Sequence, residues 1–485
     1  PENVISKILM QNGYDRISGI YVSSSERVCK YDGKLFKKVL DDLNIAAQDI
    51  CHIGDSYVSD YLAPEKLGIK HCYLASAQEV FKGKNGLSFS GASFPYIIGD
   101  ENDKTGPYGY LGTRCMYGVA ANKVFGNPFV HFDESSDFNS DPNIIGYYLM
   151  GTYIFTVAKW LMDQTCDRYE TIHFGSRDGY VVKQAYDILA AHTKRNAPKS
   201  NYLHVSRKSL MPMMIHTPDD LHAIVSFVDY QGYSPESFLN LMKEIIPEKA
   251  FVERERILRE NHINAGAKFE NENQWNEFIR VYRHNFFSEV QIDAYSKKMQ
   301  GAFEKIIGPS DCTFDMGYSL RNETLLYELL GRKLDAFYLY SNEEKANRQS
   351  RCLDIKLTVF NEEAATTTDF AVVERLISGT QDGCVGYNVD GGNLETICEK
   401  NNIDTDSVFY INLVQTRAVE FISDYVQVFP EWENLSYRYT DRPLKYYFYH
   451  AKDFDKGILY KLKNKDDLSS YGQGEYVIDL WQTTV

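Results

Sequence analysis

Apolar and polar positions near the start of the chain follow the pattern of a short α/β segment. A compact apolar run over 49–53 predicts a buried strand, and residues 60–68 predict a helix closed by glycine. Helical spacing predicts a helix over 34–43, and the run at 19–25 predicts a strand that ends in hydroxyl side chains. Asp55 is therefore expected at the carboxyl end of a strand, where open α/β sheets bind ligands.

Strands and helices alternate again in the middle of the chain. Strands are predicted at 170–175, 202–205, 312–315 and 335–340, with helices between them and a long helical stretch over 218–308. This alternation favours a parallel sheet with right-handed crossovers. A Rossmann-like α/β domain with a large helical insertion is therefore predicted. Beyond it, a long helix is predicted over 405–428, and its Gln415 and Arg417 are interpreted as surface residues.

The chain is accordingly predicted to be of the α/β class, in four segments. These are a partial domain at 1–75, a connector at 76–143, a Rossmann-like domain at 144–345 with its insertion at about 211–308, and a C-terminal α/β completion or extension at 346–485. The connector is rich in Gly, Asp, Asn and Ser, which is typical of a surface segment. Its acids Asp133, Asp137 and Asp141 suggest a metal loop, but the EF-hand glycine and final glutamate are absent, and a solvated linker is the preferred interpretation.

Composition narrows the classes of function. The 485 residues are long enough for two or three domains, and the net charge of −15 argues against a nucleic-acid binder. Nine scattered cysteines without a CxxC pair indicate reduced thiols in a cytoplasmic protein. The most apolar stretch, 144–162, is broken by two glycines and a lysine, so a buried helix is predicted and no membrane span.

Four side chains in the first segment suit phosphate chemistry. Asp55 and Asp60 flank one strand–helix junction, and a pair of hard oxygen ligands is suited to Mg²⁺. A lysine and a hydroxyl can hold phosphoryl oxygens while acids hold the metal. Lys30 and Ser23 are therefore predicted as catalytic groups, and Asp55 and Asp60 as metal ligands.

These residues resemble the haloacid dehalogenase-like (HAD) phosphatases. Ser23 matches that family's second motif, Lys30 its third, and Gly54-Asp55 with Asp60 its fourth. The resemblance implies a partial HAD-like Rossmannoid domain and an Mg²⁺-dependent phosphatase. The alternative is an ordinary strand, turn and helix with an incidental pair of acids.

The nucleophile is where the chain departs from that family. The resemblance implies covalent phosphoryl transfer to an aspartate of a DxDx[TV] motif, and no such motif lies before Ser23. We expect it in a segment ahead of Pro1. A circular permutation that uses 476–483 or 353–358 is the alternative.

The second α/β domain carries charged residues at its predicted strand ends. Two arginines, a lysine and free backbone N–H groups there suit a phosphate or pyrophosphate. The alternative is that these residues cap helices and pair with one another. The tentative ligand-binding residues are Arg177, Asp178, Arg207, Lys208, Asp315 and Ser319.

A second resemblance extends over most of the chain. The segments 120–123, 126–129, 146–148, 174–180 and 205–210 resemble long bacterial HAD-superfamily hydrolases found among surface-polysaccharide biosynthesis genes. It implies a phosphorylated sugar or similar intermediate of surface-glycan synthesis as substrate and a glycosyltransferase as a partner. Two alternatives stay open: a glycosyltransferase-like or sugar-nucleotide-binding second domain, and a non-catalytic scaffold of a glycan-assembly complex.

Overall fold

The chain is represented by a computed structural model. It describes residues 2–84, 110–127, 129–130, 133, 135–224, 230–317, 320–341, 355–360, 367–400, 403–457, 462–464 and 476–477. Contacts divide the chain into two compact units: unit 1, residues 1–94 with 118–133, and unit 2, residues 95–117 with 134–485. The segment boundaries at 75, 143 and 345 stay predictions.

Unit 1 contains a two-stranded parallel sheet and short helices. The strands are β1 (Cys51–Gly54) and β2 (Lys70–Tyr73), in the register Cys51↔Lys70 to Gly54↔Tyr73. The helices are α1 (Glu2–Gln11), α2 (Ser23–Glu26), α3 (Lys34–Leu43), α4 (Ala63–Lys66) and α5 (Ala77–Lys84), with a 3₁₀ turn at Ala47–Asp49 and a π-helical turn at Tyr57–Leu62.

A small apolar core holds these elements together. Phe36 of α3 packs with Ala63 and Ile69, so the helix predicted over 34–43 is confirmed and its apolar face is buried. The strand predicted over 19–25 is wrong, because Ser23 begins the short helix α2. A strand needs a neighbour for its backbone hydrogen bonds, and in the described part of unit 1 the two strands pair with each other.

Unit 2 is built on a five-stranded parallel sheet. Its strands are β3 (Thr171–Gly175), β4 (Lys199–Leu203), β5 (Cys312–Asp315), β6 (Asp335–Tyr338) and β7 (Leu357–Val359). The spatial order is β4-β3-β5-β6-β7, and every neighbouring pair is parallel. The predicted parallel sheet is therefore confirmed. Two antiparallel pairs follow: β8 (Gly383–Asp390) with β9 (Asn393–Glu399), and β10 (Lys463–Asn464) with β11 (Tyr476–Val477).

Helices pack against this sheet, and several of them form a core beside β4. The first part of α6 (Leu111–Phe125), as far as Tyr117, belongs to unit 2. The others are α7 (Pro142–Ile144), α8 (Gly151–Thr165), α9 (Tyr180–His192), α10 (Arg207–Leu210), α11 (Asp220–Ile224), α12 (Pro235–Leu241), α13 (Glu248–Val252), α14 (Arg254–Glu260), α15 (Glu272–Asn285), α16 (Glu289–Phe303), α17 (Arg321–Leu330), α18 (Thr367–Ile377), α19 (Thr405–Val428) and α20 (Arg442–His450), with a π-helical turn at Ile145–Met150. Helices α11 to α16 occupy the stretch predicted to be helical, and α12, α15 and α16 share one core with Leu203 of β4.

The strand order places the first strand of this sheet beside the third. The connection from β3 leads outward to β4, whereas β5 lies on the opposite side of β3. In doubly wound sheets, such a reversal of strand order opens a crevice at the carboxyl ends of the two central strands. The loops that follow β3 and β5 therefore lie where a ligand is expected.

The segment before α7 is packed into unit 2 and is not a solvated linker. Asp137 is buried, and its backbone N–H donates to the carboxylate of Asp455 at 2.7 Å. The same carboxylate accepts the N–H groups of Phe138 and Ser140 and the hydroxyl of Ser136. The partner lies more than 300 residues further along the chain, so local composition carried no signal of it.

Gln415 was also misinterpreted as a surface residue. It is buried on α19, and its amide nitrogen lies 3.0 Å from the backbone carbonyl oxygens of residues 376, 377 and 378. Those carbonyls end α18, where helix geometry leaves acceptors without intrahelical donors. Within the described residues, no helix has both the length and the apolar character needed to cross a bilayer.

Candidate functional sites

The centre of unit 1 is an ion pair between two of the predicted site residues. Lys30 Nζ lies 2.5 Å from Asp60 Oδ1, and His52 Nε2 lies 2.8 Å from the same oxygen. The backbone N–H of Ser56 donates to the other oxygen, Oδ2, at 2.9 Å. The loop before α3 and the π-helical turn after β1 are thus joined at one carboxylate.

Glycine at position 54 is what allows this carboxylate to lie under the end of β1. A Cβ added to Gly54 would lie 2.5 Å from Asp60 Oδ2 and 2.7 Å from Asp60 Cβ. Any larger residue would therefore have to push Asp60 away from Lys30. This close approach explains sterically why a glycine stands before Asp55.

Asp60 is held in its ionised form. Its side chain is only 2% exposed, and burial alone would raise the pKa of the carboxyl. The hydrogen bonds from Lys30, His52 and the Ser56 N–H outweigh that effect and lower the pKa of Asp60 to about 2. A buried negative charge beside a lysine therefore persists at neutral pH.

Asp55 and Ser23 occupy open positions. Asp55 is exposed at the carboxyl end of β1 and makes no hydrogen bond to residues that the structure describes. Ser23 is exposed at the start of α2 rather than at a strand end. Both side chains are accessible to a ligand from solvent.

The donor set can hold Mg²⁺ through Asp55 better than through Asp60. Mg²⁺ keeps several waters and takes one or two protein carboxylates together with substrate phosphate. Asp55 offers a free carboxylate, whereas Asp60 already accepts three hydrogen bonds. Among the described residues, no group of three His, Cys, Asp or Glu side chains could hold a metal ion.

In unit 2, the loop after β3 is fixed through its backbone. Arg177 adopts a left-handed conformation with φ of 66°, and its N–H donates to the Tyr202 hydroxyl at 2.7 Å. Its carbonyl accepts the N–H of Gly379 at 2.8 Å, and the next residue, Asp178, accepts the Ser378 hydroxyl at 2.5 Å. The end of α18 therefore lies against the predicted ligand loop.

Asp315, at the end of β5, is a buried acid without a cationic partner among the described residues. It accepts the N–H of Met316 at 2.7 Å and the side-chain amide of Asn322 at 3.0 Å. Burial, and then the charges of Asp178 and Glu323, raise the pKa of Asp315 well above its ordinary range. Beside it lies a small cavity with room for about one water molecule, lined by Gly175, Asn322 and Glu323 among others.

The other predicted residues of unit 2 have different surroundings. Arg207 and Lys208 open α10 behind a capping box made by Ser206 and Ser209, and Lys208 Nζ lies 3.4 Å from a carboxylate oxygen of Glu399. Ser319 lies outside the described residues. The structure thus brings together Arg177, Asp178 and Asp315, while Lys208 has a partner on β9.

Comparison with known proteins gives one short similarity. The Haloacid dehalogenase-like hydrolase domain-containing protein 3 of Danio rerio is 40% identical over 53 residues, which are 11% of this chain and 22% of that protein. The chain thus spans about a fifth of the relative that it matches. No family model matches. The similarity to a HAD-like hydrolase supports the resemblance at the level of the superfamily, and it leaves a bacterial polysaccharide context unsupported.

Two site residues escaped the sequence analysis. His52 lies two residues before Gly54, and its place on the face of β1 that holds Asp60 follows from the period-two alternation of a strand. Arg375, on α18, interacts electrostatically with Arg177. These two arginines are far apart in sequence, so no local pattern indicates their meeting.

Proposed function

We propose that unit 1 carries the active centre of a HAD-type, Mg²⁺-dependent phosphatase. The observation that supports this most is the Lys30–Asp60 ion pair beneath Gly54, which joins two of the three matched motifs at one point. The short similarity to a HAD-like hydrolase points in the same direction. The enzyme would release phosphate from a phosphorylated small molecule.

Each residue has a distinct task in this proposal. Lys30 faces developing phosphoryl charge, and Asp60 positions its ammonium group with the help of His52. Ser23 donates a hydrogen bond to a phosphoryl oxygen. Asp55 would hold Mg²⁺, which when bound supplies charge stabilisation at the phosphoryl oxygens. A nucleophilic carboxylate is also required, and no DxDx[TV] sequence precedes Ser23.

The substrate we propose is a phosphorylated sugar or a similar intermediate of bacterial surface-glycan synthesis. The support is the resemblance of the segments 174–180 and 205–210 to long HAD-superfamily hydrolases of that context. A cytoplasmic location and a glycosyltransferase partner belong to the same proposal. The aromatic and acidic side chains on the surface are not part of the support for this proposal.

The test is phosphate release from a panel of sugar phosphates by the complete gene product with Mg²⁺. Replacing Asp55 by alanine should lower the rate by about 100-fold or more, because the proposed metal ligand is lost. Asp49→Ala is the matched control, since Asp49 is an exposed acid in the same unit. Mg²⁺-dependent release that survives Asp55→Ala contradicts the assignment, and Asp49→Ala should keep the wild-type rate.

A further inference from the structure

The crevice at the carboxyl ends of β3 and β5 contains a second group of charged side chains, separate from the centre of unit 1. The loop after β3 supplies Arg177 and Asp178, and the end of α18 lies against it through Ser378 and Gly379. Asp315 closes the neighbouring strand. Two central strands and one helix therefore converge at the place where doubly wound sheets bind ligands.

Arg177 is presented to solvent by a backbone that is held on both sides. Its N–H and its carbonyl are both in hydrogen bonds, to Tyr202 and Gly379. Its side chain is exposed, and the guanidinium makes no hydrogen bond or ion pair with the part of the chain that the structure describes. A non-glycine residue with positive φ is uncommon, and such backbone is found preferentially at functional sites.

Arg375 lies within electrostatic range of Arg177 and has unmet hydrogen-bonding capacity. Its Nε and Nη2 atoms are buried and have no hydrogen-bond partner among the described residues. Burial, and next the positive charge of Arg177, lower the pKa of Arg375 to about 10, against the opposing effect of Asp404 and Glu374. Because buried N–H groups are normally hydrogen-bonded, we expect a ligand to supply an acceptor for these donors.

The three acids considered next do not accept hydrogen bonds from these Arg375 donors. The Asp178 carboxylate accepts the Ser378 hydroxyl. Burial raises the pKa of Asp315, which disfavours the negative charge that would repel an anion. Asp404 caps the start of α19 by accepting the N–H and the hydroxyl of Ser407.

We infer that this crevice binds the phosphate group of a small molecule between the guanidinium groups of Arg177 and Arg375. Paired arginines offer forked donors that match phosphate oxygens better than a single ammonium does. The 13-residue helix α9 begins just after the Arg177 loop, and its N-cap residue, Gly179, provides no side-chain cap. Its N-terminal dipole adds to the preference for an anion. Asp178 and Asp315 are then available to hydroxyl groups on the rest of the ligand.

The experiment titrates the full chain with inorganic phosphate and with pyrophosphate by isothermal titration calorimetry. It uses a Lys30→Ala, Asp55→Ala background, so that the proposed centre of unit 1 contributes no phosphate binding. Arg177→Gln and Arg375→Gln are introduced into that background. Arg256→Gln is the matched control, because Arg256 is an exposed arginine of unit 2 that pairs with Glu253 and Glu260.

Binding should persist in the background protein and weaken at least about tenfold in each of the two arginine variants, with no change in the control. No binding of either anion, or binding that both arginine variants retain, overturns the inference. Thermal unfolding distinguishes a structural role of Arg375 from a ligand-binding role. Without phosphate, Arg375→Met should unfold at or above the temperature of the background protein. Phosphate should raise the unfolding temperature only of the protein that retains Arg375. An Arg375→Met protein that unfolds lower without any anion also counts against a ligand-binding role.

Discussion

Asp60 in unit 1 and Asp315 in unit 2 are buried acids whose pKa values are shifted in opposite directions. Each carboxyl group lies against a glycine at the carboxyl end of a parallel strand: Asp60 against Gly54, and Asp315 against Gly175, where an added Cβ would lie 3.3 Å from Asp315 Oδ2. Asp60 has a lysine at 2.5 Å, and its pKa is lowered to about 2. Asp315 has an amide and two other acids, and its pKa is raised. Burial raises the pKa of both carboxyls. The hydrogen bonds to Asp60 reverse that effect, whereas the acids near Asp315 add to it.

The sheets around Asp60 and Asp315 also differ in their exposure to solvent. Ile53 of β1 is 61% exposed, whereas Ile172 and Phe174 of β3 are fully buried. Unit 1 therefore holds its ion pair at an open sheet, where Lys30 is 39% exposed and solvent screens the attraction. In unit 2 the crevice holds Arg177 together with the buried acid Asp315, whose pKa is raised. The first arrangement suits catalysis on an exposed phosphoryl group, and the second suits the binding of an anion.

The largest expected effect comes from removing the lysine of unit 1. Lys30→Met leaves the buried Asp60 with His52 and the Ser56 N–H as partners, and it removes the positive charge that faces the phosphoryl group. We expect Mg²⁺-dependent phosphate release to fall by about 100- to 1,000-fold. Lys66→Met, at an exposed lysine of α4, is the control and should have the wild-type rate. Equal rates for the two variants would remove Lys30 from the site.

Gly54→Ala tests the steric part of the comparison. The added methyl group would meet Asp60 at 2.5 Å, and we expect the free energy of unfolding to fall by about 1–3 kcal/mol. Gly118→Ala is the matched control, because nothing lies within 4 Å of its added Cβ in α6. Urea titrations of both variants measure the difference. A Gly54→Ala protein as stable as the control would show that Asp60 moves freely.

Asp60→Asn tests the charged state of unit 1 through its pH dependence. Because the folded pKa of Asp60, about 2, is below that of the unfolded chain, the ion pair stabilises the fold above about pH 4. That stabilisation is lost as the pH falls towards 2. We therefore expect Asp60→Asn to lower stability by about 1–2 kcal/mol at pH 7 and by less at pH 3, after allowance for screening. Calorimetric unfolding at both pH values provides the measurement, and a pH-independent difference would argue against an ionised Asp60.

At pH 4, Asp315→Asn should give the smallest effect, and its pH dependence should have the opposite slope. The pKa of Asp315 is higher in the folded protein than in the unfolded chain, which ionises it above about pH 4, so its contribution to stability declines as the pH rises. Asparagine cannot ionise. The stability of Asp315→Asn relative to the wild type should therefore increase from pH 4 to pH 8, starting within about 1 kcal/mol of zero. A difference that falls over this interval would mean that Asp315 is charged in the fold.

The sequence predicted the elements that depend on local pattern, and it missed those that depend on distant partners. Helical spacing gave the position of α3, and alternating strands and helices gave the parallel sheet of unit 2. The strand at 19–25 was wrong because the pattern could not show whether a pairing partner was present. The order of the motifs placed Lys30 and Asp60 in one predicted site, and the structure joins them in an ion pair. Arg375 stayed hidden because its neighbour Arg177 is brought to it only by the packing of α18.

The most direct measurement compares Mg²⁺-dependent phosphate release by Asp60→Asn and Asp315→Asn, side by side in the complete gene product. The account predicts that Asp60→Asn loses the activity, because Lys30 is no longer positioned by a negative charge. It also predicts that Asp315→Asn keeps the wild-type rate, because the proposed reaction uses residues of unit 1. An active Asp60→Asn protein together with an inactive Asp315→Asn protein would contradict the account and move the chemistry to unit 2.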